Sequence, residues 1–492
     1  MSLGRRFSSG VAWMSVGVWV EQTFNFIIIA ILARLLGAEA FGLLAMAAAF
    51  VLFSEFLVRE SISDILLTRD ELSPTRLNSV FWLLALLGTV LMALLFLAAG
   101  PLAGFYSEDL VQNLLVGLSP TVMMIALTAV PVAILRRQME FRVLALRAIV
   151  GAVIGGIVGI GMALSGYGVW ALVGQRLAVT TTNIVMAWGA VSWRPGFSVS
   201  RKHIREILHF GHRILGLRAA ELAAVQAPVV IIGALMGPVQ AGFYAIAWRV
   251  VEIASFLLIT PLRMVAQPAF AAVTREGGKA AYLLKDVMQL IGFVAIPAFA
   301  GLAVLSEPVL ILLFGQKWTP AAPTLSLLSV FGMYRCIEKI HQTFCLAAGR
   351  VGRLAILSWA EVCLATLAII VTAPYGLTVV MAAFVAAFLI LWPIRYGNLA
   401  GISGLSASML ARLHFAPLLL SAIMAGIVQG VVWPLAGWPQ VGVLLLGTLT
   451  GILAYLLLAR LVLPDRLRLL MSMIRTGAGH GEAADYSKGI EG

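Results

Sequence analysis

Charge is scarce in this chain: 11% of its 492 residues are Asp, Glu, Lys or Arg, while 61% are hydrophobic. A folded domain of this length needs far more charge than that to stay dissolved, so a water-soluble globular protein is excluded. Cysteine is scarcer still. Cys336, Cys345 and Cys363 all fall in apolar stretches and have the spacing of neither a disulfide framework nor a metal site. Acidic residues number 22 against 34 Lys and Arg. The basic surplus is scattered between apolar runs and not gathered on one polar face, which argues against nucleic acid as a partner. No GxxxxGK[ST] phosphate loop occurs, so ATP hydrolysis by this chain is not expected. No long polar segment between apolar runs offers room for a glycosyl-transferring site.

What is there is hydrophobic length. Apolar runs lie near 11–36, 40–60, 78–100, 112–135, 146–165, 169–191, 208–235, 240–264, 287–306, 320–346, 354–373, 376–396, 414–433 and 439–462. Each suffices as a helix to cross a hydrocarbon core of ~30 Å at ~1.5 Å per residue. The fold class is therefore an all-α integral membrane protein with about fourteen transmembrane helices. The basic N-terminus MSLGRRFSSG leads straight into the first run and reads as the start of a span, not as a cleaved signal. One set of loops holds Arg5 and Arg6, Arg69 and Arg76, Arg136, Arg137, Arg142 and Arg147, Arg194 to Arg205, Arg350 and Arg353, Arg395 and Arg412. The opposite set is short, with GAEAFG, SGYG, GPVQAG, APYG and GWPQ, and carries little basic charge beyond Lys317. The positive-inside rule then puts both termini in the cytoplasm.

A repeat organises these spans. ILARLLGAEAFGLLAMA (31–47) returns as IIGALMGPVQAGFYAIA (231–247), with Leu35, Gly37, Gly42, Ala45 and Ala47 matched at an offset of 200. Glu21 is matched by Glu221, and Arg142, Tyr167 and Gly168 by Arg350, Tyr375 and Gly376. The expected organisation is an N-lobe of six helices over 1–195 and a homologous C-lobe of six over 196–398. Two further helices over 399–463 and a cytoplasmic tail over 464–492 complete it. Residues 196–207 are expected as an interfacial linker helix, and 465–475 as a second basic amphipathic segment on the inner leaflet. Pro120, Pro131, Pro228, Pro261, Pro268, Pro297 and Pro393 are expected to kink their spans.

Ionisable groups inside spans are the candidate functional residues. At ~2.5–3.5 kcal/mol for each central charge, leaving all of them in lipid would cost on the order of 25–35 kcal/mol, so they pair or line a wet cavity. Arg218–Glu221, Arg249–Glu252 and Arg335–Glu338 each read R-x-x-E, which puts acid and base on one helical face. Such a pair either neutralises itself or opens to let the arginine meet an anion. Arg176 and Lys339 have no acid three or four residues away and are the better phosphate candidates. Glu55 and Arg59 read as a structural pair. The candidate cationic set is Arg176, Arg218, Arg249, Arg335 and Lys339. The candidates for proton or sodium coupling are Glu21, Glu221, Glu252 and Glu338, with no other cofactor expected. A duplicated bundle with carboxylates inside the membrane has the build of a secondary transporter.

Several stretches carry a family resemblance. They are ILARLLGAEAFG, ILRRQMEFRVLALR with SGYGVWALV, IIGALMGPVQAGFYAIA, RMVAQPAFAAVTR, LLFGQKWTPAAPTLSLLS and LAAGR. In this order, over most of residues 11–396, the chain resembles the Wzx-type polysaccharide exporters of the multidrug/oligosaccharidyl-lipid/polysaccharide superfamily. It is nearest the colanic-acid and teichuronic-acid exporter branch. The resemblance implies a flippase in the bacterial cytoplasmic membrane whose two lobes enclose a cationic cavity open to each side in turn. It implies a polyprenyl-diphosphate-linked oligosaccharide as cargo, membrane lipids around the tail, and polysaccharide polymerase and synthesis enzymes as partners. That branch often carries an Asp shortly before the IIG of its seventh helix, where this chain has Gln226, Ala227 and Pro228. Glu221, one turn earlier, is the substitute here. A cation-coupled multidrug exporter of the same superfamily is the alternative, and a membrane polysaccharide polymerase or ligase a more distant one.

Overall fold

The computed structural model describes residues 3–60, 73–201, 203–204, 212–275, 280–435, 437–464 and 466. Within them the chain is helical, with no strand. The helices are α1 (Leu3–Leu36), α2 (Ala38–Glu60), α3 (Pro74–Tyr106), α4 (Asp109–Leu118), α5 (Pro120–Arg137) and α6 (Phe141–Leu164). Next come α7 (Trp170–Gly189), α8 (His212–Met236), α9 (Pro238–Arg275), α10 (Ala280–Val304) and α11 (Ser306–Phe314). The last are α12 (Ala322–Ala347), α13 (Gly352–Thr372), α14 (Leu377–Ser403), α15 (Ala407–Val432) and α16 (Gln440–Val462).

Twelve helical segments among the described residues are long and apolar enough to cross a membrane, α4 and α5 counting as one. The protein is thus a multi-pass membrane protein, with two fewer such segments than the fourteen expected. The two that fall short are α7 and α12, and the reason is composition. Gln175, Arg176, Thr180, Thr181, Thr182 and Asn183 lower the hydropathy of α7, and Arg335, Glu338, Lys339, His341 and Gln342 that of α12. The expected fourth span is broken at Ser119. Pro120 opens α5 at its first position, where its missing N–H costs nothing, and so does not kink a helix interior. The other six prolines named above do lie inside helices.

The linker expected as a helix over 196–207 begins instead as an extended strap. Gly196 N donates to Asn78 Oδ1 (3.0 Å), Ser200 N to Ser79 Oγ (2.8 Å) and Asn78 Nδ2 to Ser198 Oγ (2.8 Å). Trp82 Nε1 donates to Gly196 O (2.9 Å), and Phe197 stacks on its ring. Pro195 and Gly196 discourage helix, and the start of α3 supplies the polar partners that a helix would have supplied itself. Residues 205–211 and the segment 467–492, which holds most of the second amphipathic stretch and the tail, lie outside the described residues. Cys336 and Cys345 are buried, whereas Cys363 is exposed on the surface of α13.

Two compact units make up the chain: Met1–Ala254, Ser306–Phe331 and Gly349–Asn398 form one, and Ser255–Leu305, Gly332–Ala348 and Leu399–Gly492 the other. In the second unit α10 packs on α15 and α16. His414 on α15 reaches the Met288 carbonyl, and Tyr455 on α16 donates to the Phe293 carbonyl (3.0 Å).

The first unit is organised by the repeat. Gly37 and Gly237 are the lone residues between α1 and α2 and between α8 and α9. Both have φ +84°, the left-handed region that glycine enters without strain. One turn further on, the two copies touch. A Cβ on Gly42 would fall 1.7 Å from the Pro238 carbonyl oxygen, and one on Gly242 would fall 2.0 Å from that of Ala38. The helices α2 and α9 therefore cross backbone to backbone at the paired glycines.

Trp318, fully buried, closes this crossing. Its ring meets Phe41 and Phe243 edge-on at 5.9 and 6.1 Å, and its Nε1 donates to Ala33 O (3.0 Å). Arg34 beside it donates to the Leu312 and Leu313 carbonyls, which end α11. Replacing Gly242 by Ala is expected to destabilise the protein by roughly 1–3 kcal/mol through forced overpacking. Gly100→Ala, which meets open space, is the neutral control. Equal thermal midpoints for the two purified variants would contradict the close crossing.

Candidate functional site: an arginine-lined cavity

The first unit encloses a cavity of about 910 Å³. Its wall takes Glu21 and Asn25 from α1, Arg59 from α2, Thr128 and Arg136 from α5, and Arg147 from α6. It also takes Gln175, Arg176, Thr180 and Asn183 from α7, Arg218 from α8 and Arg249 from α9. Both copies of the repeat thus contribute. Six arginines line the space, and Glu21 is the one carboxylate among the described lining residues.

The six arginines are not equivalent. Arg176 donates through Nη2 to both oxygens of Glu55, at 2.6 and 2.8 Å, and Thr121 Oγ1 lies 3.1 Å from the same carboxylate. Glu55 is 3% exposed, so this pair is anchored behind the wall. Arg176 therefore has an acid after all, supplied by a neighbouring helix. Glu55 interacts with Arg59 on its own helix, as the spacing suggested, and reaches across to α7 as well. Helical spacing finds partners only along one helix, which is why the sequence did not disclose this one.

Arg218 and Arg249 hold their expected i+3 partners. The distances are 3.4 Å to Glu221 and 2.8 Å to Glu252, and neither glutamate is among the lining residues. Arg59 and Arg147 interact electrostatically with Glu21, with Arg136 and with each other. The Nε atoms of Arg147 and Arg249 are buried without a hydrogen-bond partner, which leaves donors ready for an acceptor. Arg136 and Arg147 were expected only as orientation signals and Arg59 only as a structural partner of Glu55, yet all three line the cavity. A cation near a helix end satisfies the positive-inside rule and a binding role at once, and the sequence alone does not separate the two.

The remaining candidates, Arg335, Glu338 and Lys339, belong to α12 in the second compact unit. There Lys339 Nζ donates to Gln342 Oε1 (3.0 Å).

One buried charge pair joins α13 and α14. Arg395, at the edge of the expected 376–396 span and counted above with the loop cations, lies inside α14, which runs on to Ser403. Its Nε and Nη2 donate to the two oxygens of Glu361, and Nη2 also bonds Ser358 Oγ (2.9 Å). Both side chains are 3% exposed. Removing one partner of such a pair strands the other charge, so Glu361→Ala is expected to cost about 3–5 kcal/mol. Glu252→Ala, whose side chain is 46% exposed, is expected to cost ~1 kcal/mol or less. Thermal denaturation in detergent reads both, and similar losses would contradict the buried assignment.

A family model described as polysaccharide biosynthesis protein matches residues 31–323, more than half of the chain. The chain belongs to this polysaccharide biosynthesis protein family. Among similar proteins is the succinoglycan biosynthesis transport protein ExoT of Rhizobium meliloti, 26% identical over 349 residues, which are 71% of this chain and 70% of ExoT. The lipopolysaccharide biosynthesis protein WzxC of Escherichia coli is 23% identical over 363 residues, 71% of this chain and 72% of WzxC. The fold is that of the lipid II flippase MurJ in an inward closed conformation, with a TM-score of 0.72 at 16% identity over 92% of this chain and 99% of MurJ. These matches agree with the resemblance carried by the sequence motifs of this polysaccharide biosynthesis family member.

Proposed function

We propose that this protein is a flippase that carries a polyprenyl-diphosphate-linked oligosaccharide across the bacterial cytoplasmic membrane by alternating access, for export of a surface polysaccharide. The observation that carries this reading is the cavity, which six arginines and one carboxylate line in a member of a polysaccharide biosynthesis family. A diphosphate esterified at both ends keeps two negative charges near neutral pH. Guanidinium groups bind such oxyanions in a fixed fork geometry, and the unpartnered Nε donors of Arg147 and Arg249 suit them. The names of ExoT, WzxC and MurJ, a transport protein, a lipopolysaccharide biosynthesis protein and a lipid II flippase, support the same cargo class.

The six-helix copies over 1–195 and 196–398 serve as the two lobes, with α7 and α12 crossing the membrane beside the twelve more apolar segments and both termini in the cytoplasm. Glu21 is the coupling candidate placed among the arginines, and a proton or sodium ion is the partner its chemistry admits. The same electrostatics weigh against a cationic drug as cargo. At ~7 Å and an effective dielectric of ~20, each unpaired arginine opposes a positive charge by about 2 kcal/mol. The reading involves no bond-making step by the protein.

The test is transport of a lipid-linked oligosaccharide by the purified protein in liposomes. Arg147→Ala and Arg249→Ala are each expected to lower the rate at least tenfold without changing membrane insertion. No transport by the unsubstituted protein, together with normal polysaccharide export by a deletion strain, would sink the proposal.

A further inference from the structure

The wall of the cavity between α6 and α7 has a regular build that the arginines do not explain. Gly151, Gly155 and Gly159 recur every fourth residue on α6 and face Asn183, Val179 and Gln175, which recur every fourth residue on α7 in the antiparallel sense. A Cβ on Gly151 would lie 3.1 Å from Asn183 Oδ1. On Gly155 it would lie 2.3 Å from Val179 Cγ2, and on Gly159 2.9 Å from Gln175 Cβ. The glycines thus let α7 sit against the backbone of α6, with Gln175, Val179 and Asn183 held in a row. All three line the cavity. Asn183 Oδ1 is buried against Gly151 with no hydrogen-bond partner, which leaves this acceptor unsatisfied.

The row alternates amide, methyl groups, amide. Planar amides both donate to and accept from hydroxyls, and a branched aliphatic side chain between them offers a dry seat for the C–H face of a ring. Eight residues of helix separate Gln175 from Asn183, which is about 12 Å at 1.5 Å per residue. That span is close to the length of two linked pyranose rings. The row also has a direction. Arg147 lies one turn before Gly151 on α6, so the Asn183 end is the end beside the cation that interacts with Arg59, Arg136 and Glu21.

We infer that Gln175, Val179 and Asn183 form a carbohydrate subsite, in which the sugar next to the diphosphate meets Asn183 and the following one lies toward Gln175. This rests on the flippase reading and adds the place and polarity of the glycan.

The test uses the full chain in detergent and two probes: a polyprenyl diphosphate, and the same lipid bearing a glucose disaccharide. Native mass spectrometry reads both affinities. The unsubstituted protein is expected to bind the glycosylated lipid at least tenfold more tightly. Asn183→Leu and Gln175→Leu are each expected to remove most of that preference while leaving affinity for the bare diphosphate within about twofold. Asn183→Ser serves as a milder variant, with the same expectation, if the leucine variant does not fold. Equal binding of the two probes by the unsubstituted protein overturns the subsite while leaving transport untouched. A preference that survives the substitutions, or an equal loss on both probes, overturns it as well. Binding of neither probe, with no transport in liposomes, brings down the flippase reading itself.

Discussion

The crossing of α2 and α9 at Gly42 and Gly242 is the constraint on which the arrangement of the first unit depends. Two helices come close enough there for each backbone to occupy the space that a methyl group on the other would need. That contact fixes where the polar stretches of both helices lie further along. α2 brings Glu55 and Arg59, and α9 brings Arg249, to the region of the cavity. Trp318, packed against a phenylalanine from each copy, fills the remaining gap. The family stretch LLFGQKWTPAAPTLSLLS thereby acquires a physical meaning: a short helix ends under the Arg34 guanidinium and delivers one indole to the crossing.

Electrostatics shape the cavity in the opposite way. Packing is satisfied by close approach, whereas the arginines are only partly neutralised. Arg176 is held by a buried carboxylate, and Arg218 and Arg249 by carboxylates of their own helices. Arg59 and Arg147 share Glu21, Arg59 also faces Glu55, and Arg136 stands beside both arginines. A low-dielectric wall with an excess of one sign is costly when empty and favourable when an anion arrives, which is the balance a carrier needs.

Much of the fold was legible in the sequence, because hydrophobic length and glycine punctuation act locally. Gly37 and Gly237 mark one-residue turns, and the 200-residue offset pairs them without any structure. The R-x-x-E pairs at 218–221 and 249–252 were legible for the same reason. What escaped was partnership across helices. Glu55 with Arg176 and Glu361 with Arg395 are separated by 121 and 34 residues, and nothing in a single chain connects them. Arg136 and Arg147 escaped for another reason, since topology alone already accounted for a cation at those positions. The strap over 195–200 was misread as helix because its basic and apolar pattern suits both states, and the Asn78 and Ser79 side chains decide between them.

The symmetric contact at Gly42 and Gly242 bears on descent. Gly42 meets the carbonyl of residue 238 and Gly242 that of residue 38, so one copy holds both surfaces required to dock on another. Self-complementarity of that kind is what a twofold homodimer demands of its subunits. An ancestral half-length chain therefore had the means to assemble with its own twin. Fusion releases two such halves from identity, while the seam still asks a glycine of each.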